Sequence, residues 1–354
     1  MVTLQNFRVI GTGRYLPQLR ISAEEIDART QQPPGWCRTH CGVDWRHECR
    51  SPETVISMGT EAIRTAMSDA QVTWSDIDLL IDCSTSRHRP IPCNAAHFLN
   101  AAGKDARGIP GFDIQSTCLS FIVGLHTANA LMAGGAYRRV ILVASESPLT
   151  AVNWQQPESA GLMGDGAAAV VLCYSPTNRP MVMRHETYAE NLDLCQVNGG
   201  AHHLPAWNYT PERSHEFRFD MNGPALFRTA AVRLPKMAHA ALDAWKNDCS
   251  NHGIQCENSS SSDLTVVPHQ ASPKALEIIQ ELMPQVPSER FLIRVRETGN
   301  LVAASVPFLL DQSYRDGTIQ SNSPVMLLGT SAGYSQAALI FTPFVKLASD
   351  QNGE

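Results

Sequence analysis

The chain has 354 residues, of which 43% are hydrophobic and 18% charged, and its formal net charge is −6. These values are typical of a globular protein, long enough for two domain-sized units or one large fused core. The acidic balance excludes a basic field for nucleic acid or anionic lipid. No stretch approaches the ~20 apolar residues of a membrane span, and residues 1–7 do not resemble a signal peptide. The ten cysteines are scattered, which favours reduced thiols and a cytoplasmic location.

The first half of the chain alternates apolar runs with patterns of helical period. A strand is predicted over residues 7–11, and an irregular loop over 33–37. Continuous apolar runs that alternate with helices suggest parallel strands covered on both faces. The remaining predicted elements are a helix that begins after Ser22, helices over 54–70 and 94–102, strands over 79–83, 111–114, 140–145 and 166–172, and a helix from Leu119 to the glycines at 134 and 135.

The second half repeats this outline after a polar segment, 176–219, that is predicted to form long loops with a short strand near 181–183. The further predicted elements are helices over 225–245, 273–282 and 303–310, and strands over 264–267, 326–328 and 337–341. The likeness between the halves suggests an internal duplication. We therefore predict two layered α/β units, residues 1–176 and 177–354, that share one core.

Cys118 stands where the predicted strand 111–114 gives way to a helix. The free N–H groups and the positive dipole end of a helix stabilise a thiolate and can bind an oxyanion. A nucleophilic cysteine would be placed this way. A buried, inert cysteine is the alternative interpretation, because free cysteines are commonly part of the core.

A second group of sulfur and imidazole side chains suggests zinc, although their spacing is irregular. Cys37, His40, Cys41, His47 and Cys49 crowd into one short segment. Their order does not follow the usual pairs of zinc ligands, so we expect incidental cysteines and no metal site.

His269 and Asn300 follow predicted strands of the second half. Layered α/β folds build functional sites at the ends of strands, so these two residues are candidates to join Cys118. An imidazole can hold or move the proton of a thiol, and an uncharged amide can donate to a developing enolate or oxyanion. Taken singly, His269 could be a hydrogen-bonded core residue and Asn300 a turn residue after Gly299.

Three segments that contain these residues carry a resemblance to a known family. Residues 113–121, 267–271 and 299–307 resemble the nucleophile, histidine and asparagine motifs of the 3-oxoacyl-[acyl-carrier-protein] synthase III family, within the thiolase-like condensing enzymes. Similar segments at 10–17, 53–55 and 164–167 extend the resemblance over nearly the whole chain. The resemblance implies a duplicated five-layer α/β/α/β/α thiolase fold, normally in a homodimer.

The resemblance also implies roles for individual residues. Cys118 would accept an acyl group as a thioester from acyl-CoA or an acyl carrier protein. His269 and Asn300 would then bind a second thioester and stabilise its carbanion for a Claisen condensation. The backbone N–H groups of Cys118 and of Gly333 would form the oxyanion hole. No metal or redox cofactor is implied. The residues matched to substrate binding are Trp36, Ile91, Phe227, Ser272 and Lys274.

The chain departs from the family at residues 145–148, which are unlike the pattern of primary metabolism, and at two places near the expected substrate path. Residues 156–159 stand where fatty-acid members carry an arginine that grips the CoA nucleotide, and Glu158 introduces an acid there. We therefore expect a carrier-protein substrate for at least one step. The segment 87–92 is basic and lacks the glutamate of relatives that join two long acyl chains. Together these departures favour a condensing enzyme of specialised metabolism.

Two alternatives to a condensing enzyme remain from the sequence. The first is an acyltransferase that passes the Cys118-bound acyl group to a hydroxyl or an amine. The second is a non-catalytic subunit that partners an active relative. Asn300 argues against the first, because acyl-transferring relatives often depart from the family at this residue. The intact set of Cys118, His269 and Asn300 argues against the second.

Overall fold

A computed structural model describes residues 2–177, 179–251 and 264–344 of the chain. The strands are β1 (Val2–Leu4), β2 (Phe7–Tyr15), β3 (Leu19–Ser22), β4 (Trp45–Glu48), β5 (Leu79–Asp82), β6 (Gly111–Asp113), β7 (Arg139–Glu146), β8 (Gly166–Tyr174), β9 (Pro180–Thr187), β10 (Cys195–Gln196), β11 (Asp220–Met221), β12 (Thr265–Pro268), β13 (Val325–Ser331) and β14 (Ser335–Phe341). The helices are α1 (Ala23–Arg29), α2 (Trp36–His40), α3 (Val55–Asp69), α4 (Asn94–Ala102), α5 (Ser120–Ala133), α6 (Pro157–Ala160), α7 (Gly223–Asn251), α8 (Pro273–Glu281) and α9 (Ser305–Arg315).

Two mixed β-sheets form the framework of the described chain. The first has the strand order β2-β8-β7-β5-β6, and the second has the order β1-β9-β14-β13-β12. In the first sheet, β5 runs parallel to β6 and β7, while β8 is antiparallel to both of its neighbours. In the second sheet, β12 and β13 are parallel and the remaining pairs are antiparallel. The parallel pairing suggested by the apolar runs is therefore confirmed for β5 with β7, whereas β8 and β14 pair antiparallel.

Helices cover both sheets and fill the space between them. On the outer side of the first sheet lie α3 and α4, and on the outer side of the second lie α7 and α8. Helices α5 and α9 contact each other and strands of both sheets. The largest apolar cluster surrounds these two central helices and draws residues from both sheets. The layers are therefore α/β/α/β/α, as the sequence resemblance implies.

Several element boundaries differ from the sequence predictions. The strand β2 continues to Tyr15, and residues 36–40 form a short helix rather than an irregular loop. Strands β1, β3 and β4 were not predicted from the sequence. Because β1 pairs with β9, the first residues of the chain belong to the second sheet. The division into units at residue 176 stays a prediction.

No helix within these described ranges is long and apolar enough to cross a membrane. Eight cysteines, Cys118 among them, are free thiols, whereas Cys249 is disulfide-bonded. The expectation that every thiol is reduced is thus wrong for Cys249.

Glycines on β2 allow α3 to pack directly against the strand backbone. A Cβ atom at Gly13 would lie 2.4 Å from the carbonyl oxygen of Ala62 and 2.5 Å from the backbone nitrogen of Ala66. Both contacts are with backbone atoms of a helix, which cannot rotate out of the way as a flexible side chain could. The distance between α3 and the first sheet therefore depends on the absence of a side chain at Gly13.

We predict that Gly13→Ala lowers the free energy of unfolding by about 3 kcal/mol or more, because α3 must move away from β2. Chemical denaturation monitored by circular dichroism would measure the change. Gly134→Ala is the matched control, because its Cβ would lie 3.5 Å from the nearest atom and its φ is −74°. Equal stability of the two variants would show that the close packing of α3 is not a constraint.

Candidate active site

Cys118 lies in a short 3-10 turn, Thr117–Leu119, that leads into the central helix α5. The Ser120 hydroxyl accepts a hydrogen bond from the backbone N–H of Ser116 at 2.8 Å and donates one to the carbonyl of Thr117 at 2.7 Å. Thr117 has a φ of +46°, in the left-handed region that non-glycine residues rarely adopt. The turn is therefore held by one serine and by a backbone conformation that the surrounding core must stabilise.

Asn300 precedes a turn of the same construction at the start of the other central helix, α9. The Ser305 hydroxyl accepts from the N–H of Leu301 at 3.0 Å, as Ser120 does in the first half. Val302 has a φ of +50°, and its N–H donates to Asn300 Oδ1 at 2.8 Å. Since this bond occupies the amide oxygen, the amide nitrogen of Asn300 is the group that can donate to another partner.

The backbone of Asn300 is fixed by the segment before β8. Its N–H donates to the carbonyl of Leu162 at 2.7 Å, and its carbonyl accepts from the N–H of Gly164 at 3.1 Å. Gly299 has a φ of +69°, and a Cβ there would lie 2.7 Å from the Leu162 oxygen. A Cβ at Gly164 would lie 2.0 Å from the carbonyl oxygen of Thr298. The two glycines thus allow the two loops to pair.

His269 follows β12 directly and is buried. Its backbone N–H donates to the carbonyl of Leu328 at 2.7 Å, which continues the pairing of β12 with β13. The neighbouring Gln270 side chain donates to the carbonyls of Pro268 and Leu292 and accepts from the N–H of Arg294. All of the loop's polar groups around Gln270 are thereby used to fix the backbone that carries His269.

The structure brings these three loops together at one end of the central layer. The turn of Cys118 contacts both β13 and the turn that follows Asn300. A Cβ at Gly329 of β13 would lie 3.0 Å from the Cβ of His269 and 3.2 Å from a methyl carbon of Leu119. The backbone of Val302 also faces the ring of His269. His269 is therefore next to both turns.

Burial shifts the protonation of both the thiol and the imidazole towards their neutral forms. Burial raises the pKa of the Cys118 thiol, and the nearby Cys195 and Glu146 raise it further. Burial lowers the pKa of His269 to about 4, and the smaller effect of the Val302 backbone acts in the opposite direction. Desolvation therefore opposes the stabilisation of a Cys118 thiolate that the start of the helix offers. A neutral imidazole remains free to accept a proton.

Glu146 is a fully buried carboxylate, which the sequence marked only as part of the unusual segment 145–148. It ends β7 and accepts hydrogen bonds from the N–H of Thr85 at 2.6 Å and from the N–H and hydroxyl of Ser86 at 2.9 and 2.7 Å. The N–H of Ala303, in the turn after Asn300, also faces it. Burial raises the pKa of Glu146 to about 7. In the sequence, the signal that could have indicated this buried carboxylate is an acidic residue at the end of an otherwise apolar strand.

Residues matched to substrate binding lie at several places around this centre. Trp36 begins α2 and stacks on His40, with ring centroids 4.4 Å apart. Ser272 precedes the first turn of α8, where Lys274 is exposed, and Phe227 is half-buried on α7. Ile91 is 85% exposed, so this chain alone does not enclose it.

Two further sequence predictions concern backbone and metal. Gly333 lies in the turn between β13 and β14 with a φ of +105°, a conformation that favours glycine. Within the part of the chain that the structure describes, no group of three or more His, Cys, Asp or Glu side chains is placed to hold a metal ion.

Comparison with known proteins addresses the family. The family model of 3-oxoacyl-[acyl-carrier-protein] synthase III matches residues 112–190, and the model of its C-terminal part matches residues 255–342. The β-ketoacyl-[acyl-carrier-protein] synthase III of Neisseria gonorrhoeae is 27% identical over 337 residues, which cover 95% of this chain and 99% of the relative. The enzyme of the same name from Vesicomyosocius okutanii is 29% identical over 334 residues, covering 94% and 98%.

The chain belongs to the 3-oxoacyl-[acyl-carrier-protein] synthase III-like family of condensing enzymes. Solved structures agree with this synthase III-like assignment. The priming β-ketosynthase from the R1128 polyketide biosynthetic pathway is 25% identical, with a TM-score of 0.82 and 97% of each chain covered. The synthase III of Aquifex aeolicus, at 22% identity, has a TM-score of 0.81 over 95% of this chain and 99% of its own. The thiolase fold is thereby confirmed.

We predict that Glu146→Gln changes the pH dependence of stability. Because the pKa of Glu146 is near 7 in the folded state and 4.5 is its ordinary value, the folded chain keeps a proton that the unfolded chain releases above about pH 4.5. This contribution is full below pH 4.5 and is lost as pH rises through 7. The variant's free energy of unfolding relative to wild type should therefore rise by about 2–3 kcal/mol from about pH 5 to 8.

Urea denaturation at each pH would measure this difference, and any fixed cost of the amide cancels from its pH dependence. Glu212→Gln is the control, because this exposed carboxylate has a lowered pKa and stays ionised across that range. A pH-independent difference between Glu146→Gln and wild type would mean that Glu146 is ionised in the folded protein.

Proposed function

We propose that the protein is an acyl-thioester condensing enzyme in which Cys118 carries the acyl group and His269 and Asn300 act on the second thioester. The observation that carries this proposal is the meeting of three loops, after β6, β12 and before α9, at one end of the central layer. Membership of the synthase III-like family supports the same assignment.

In the first step, the Cys118 sulfur would attack the carbonyl carbon of an acyl-CoA or acyl-carrier-protein thioester. The pantetheine thiol would leave, so one thioester replaces another. Since burial keeps Cys118 protonated, its proton must move as the sulfur attacks, and neutral His269 is a suitable acceptor. The backbone N–H groups of Cys118 and Gly333 are the proposed donors to the oxyanion.

In the second step, His269 and Asn300 would hold the thioester carbonyl of the second substrate. Decarboxylation or deprotonation places negative charge on that oxygen, which uncharged N–H donors stabilise. The bond from Val302 N–H to Asn300 Oδ1 favours this role, because it leaves the amide nitrogen to donate. The carbanion then attacks the Cys118 thioester, and a 3-oxo product forms as the cysteine sulfur leaves.

This chemistry has consequences for cofactors, location and assembly. The thioesters supply the activation, so we propose no metal or redox cofactor beyond the pantetheine-bound substrates. A cysteine nucleophile must stay reduced, which favours the cytoplasm. We also propose a homodimer, because β6 ends the first sheet with Phe112 exposed, and Ile91 needs a second surface to cover it.

The acidic surroundings of residues 156–159 support a carrier-protein substrate over CoA for at least one step. Glu158 is exposed on α6, and the adjacent Gln156 amide donates to Asp220 at 2.5 Å. Two carboxylates therefore flank the segment where fatty-acid members of the family carry the arginine that grips the CoA nucleotide. Repulsion between these carboxylates and the CoA phosphates should weaken CoA binding.

We predict that Cys118→Ala abolishes acyl transfer to the protein, while Asn300→Asp still becomes acylated but loses condensation by about 100-fold or more. The charged carboxylate would repel the developing enolate. Intact-protein mass spectrometry with a panel of acyl-CoAs and acyl carrier proteins would detect the acyl adduct, and chromatography would detect the 3-oxo product.

Cys93→Ala, which removes a different free and half-buried thiol, is the control for Cys118→Ala. Transfer of the acyl group to an alcohol or amine without a 3-oxo product would favour the acyltransferase alternative. Absence of an adduct on wild type with every donor would instead favour the non-catalytic subunit.

We predict that Glu158→Arg raises kcat/KM for loading from acyl-CoA about tenfold, relative to loading from the matching acyl carrier protein. Stopped samples analysed by mass spectrometry would give both rates. Asp105→Arg makes the same change of charge elsewhere on the surface and should leave the ratio unchanged. If wild type already loads both donors equally fast, the preference for a carrier protein is wrong.

A further inference from the structure

Arg46, on β4, is a fully buried cation that forms no ion pair with any carboxylate of the described residues. One terminal nitrogen lies 3.4 Å from the carbonyl oxygen of Ala160, and Nε has no partner among the described residues. The other terminal nitrogen donates to the Cys37 sulfur at 3.4 Å. A guanidinium stays charged at any physiological pH, and a buried charge requires a counter-charge. Cys37 is the group in contact with Arg46 that can supply it.

The nearest acid to this pair, Asp27, is already used by backbone groups. Its two carboxylate oxygens accept from the N–H of Gly35 and from the N–H of Cys37, each at 2.7 Å. These bonds hold the start of α2 in place. Asp27 therefore fixes the backbone of Cys37, and the Arg46 guanidinium contacts the Cys37 sulfur instead of this carboxylate.

Cys41 lies one helical turn after Cys37, and both sulfurs lie against the same segment, where Cys37 Sγ is 3.6 Å from the carbonyl oxygen of Gly161 and Cys41 Sγ is 3.6 Å from that of Glu158. Hydrogen bonding from Cys41, together with Arg46, lowers the pKa of the Cys37 thiol, while the pKa of Cys41 is raised. Both sulfurs face Gly161, where a Cβ would lie 2.4 Å from Cys41 Sγ and 3.2 Å from Cys37 Sγ. The other charged groups around the pair are Asp27 and Glu158.

We propose that Cys37 and Cys41 form an oxidisable dithiol, in which Cys37 is the thiolate counter-ion of Arg46, and that a peroxide converts the pair into an intramolecular disulfide. A small oxidant suits this site, because both sulfurs are buried. Consecutive turns of a helix place Cα atoms about 6 Å apart, within the range that disulfides span.

The oxidation balances in two steps. The Cys37 thiolate attacks one oxygen of hydrogen peroxide, and the O–O bond breaks. Hydroxide is the leaving group, and Cys37 becomes a sulfenic acid. The Cys41 sulfur then attacks the Cys37 sulfur, the S–O bond breaks, and water leaves with the proton of Cys41. The dithiol loses two electrons in total, and peroxide is reduced to water and hydroxide.

The position of the pair gives this reaction a consequence for the proposed function. The Cys41 sulfur lies 3.8 Å from the carbonyl oxygen of Pro157 and 3.6 Å from that of Glu158, so it links α2 to α6. Helix α2 begins with Trp36, which is matched to substrate binding. A disulfide would remove the counter-ion of Arg46 and deform this short helix. Slower loading of Cys118 follows, and this consequence alone rests on the proposed function.

Peptide mapping of the full chain after treatment with hydrogen peroxide tests the modification without any activity assay. We expect a loss of two hydrogens and a peptide cross-linked between Cys37 and Cys41. In Cys41→Ser, a dimedone probe should instead capture sulfenic acid on Cys37. The half-buried free Cys93 is the internal reference, and Cys37 should be oxidised at least tenfold faster at about pH 6.5, where an ordinary thiol is protonated.

Oxidation of Cys93 before Cys37, or the absence of the cross-link once Cys93 is fully oxidised, would overturn the proposal. Arg46→Gln should slow oxidation of Cys37 at least tenfold, and an unchanged rate in a folded variant would remove the role of Arg46. Loading of Cys118 should fall in the oxidised wild type and recover with dithiothreitol. In the Cys37→Ala, Cys41→Ala double variant, the same peroxide treatment should not change the rate at which Cys118 is loaded. A cross-link without any effect on loading would leave the modification intact and contradict only its consequence.

Discussion

The structure depends on two helices that begin inside the protein, between two β-sheets. The first N–H groups of α5 and α9 have little access to water, so each unpaired group would be costly. Ser120 and Ser305 each accept from the residue four positions earlier. Thr117 and Val302 adopt left-handed conformations that cost about 1–3 kcal/mol each. Because the core around both turns sustains this strain, the residues beside them occupy fixed positions.

The electrostatics of the centre follow from the same burial. His269 and the Cys118 thiol are shifted towards their neutral forms, and the pKa values of Asp82, Glu146 and Asp165 are each raised to about 7, chiefly by desolvation. Little standing charge therefore surrounds the turns. A negative charge that develops on a bound thioester would be the dominant local charge, and fixed N–H dipoles would stabilise it more strongly than they could in water. This environment fits thioester condensation better than chemistry that needs a permanent thiolate.

Local sequence signals predicted the elements whose periodicity is strong, and they failed where distant segments decide. The helix α3 begins directly after its N-cap Thr54, within one residue of the predicted start, because both the cap and the apolar spacing are local. The pairing of β1 with β9 joins residues about 180 positions apart, and no short pattern encodes it. The motifs of Cys118, His269 and Asn300 were identified by resemblance, whereas the raised pKa of Cys118 depends on burial by the whole core. Arg46 gave no signal, since a lone arginine in a strand is ordinarily exposed.

Chemistry and substrate selection are assigned to parts of the molecule that differ in rigidity. The turns around Cys118 and Asn300 are held by the main core cluster and by both sheets. The proposed substrate entrance instead lies at two short helices, α2 and α6, which are joined by sulfur-to-carbonyl contacts, while Asp27 accepts from N–H groups at the start of α2. Few bonds must change to shift these helices. Changes at the entrance should therefore act mainly on KM, whereas changes at the buried turns should act on kcat or on folding itself.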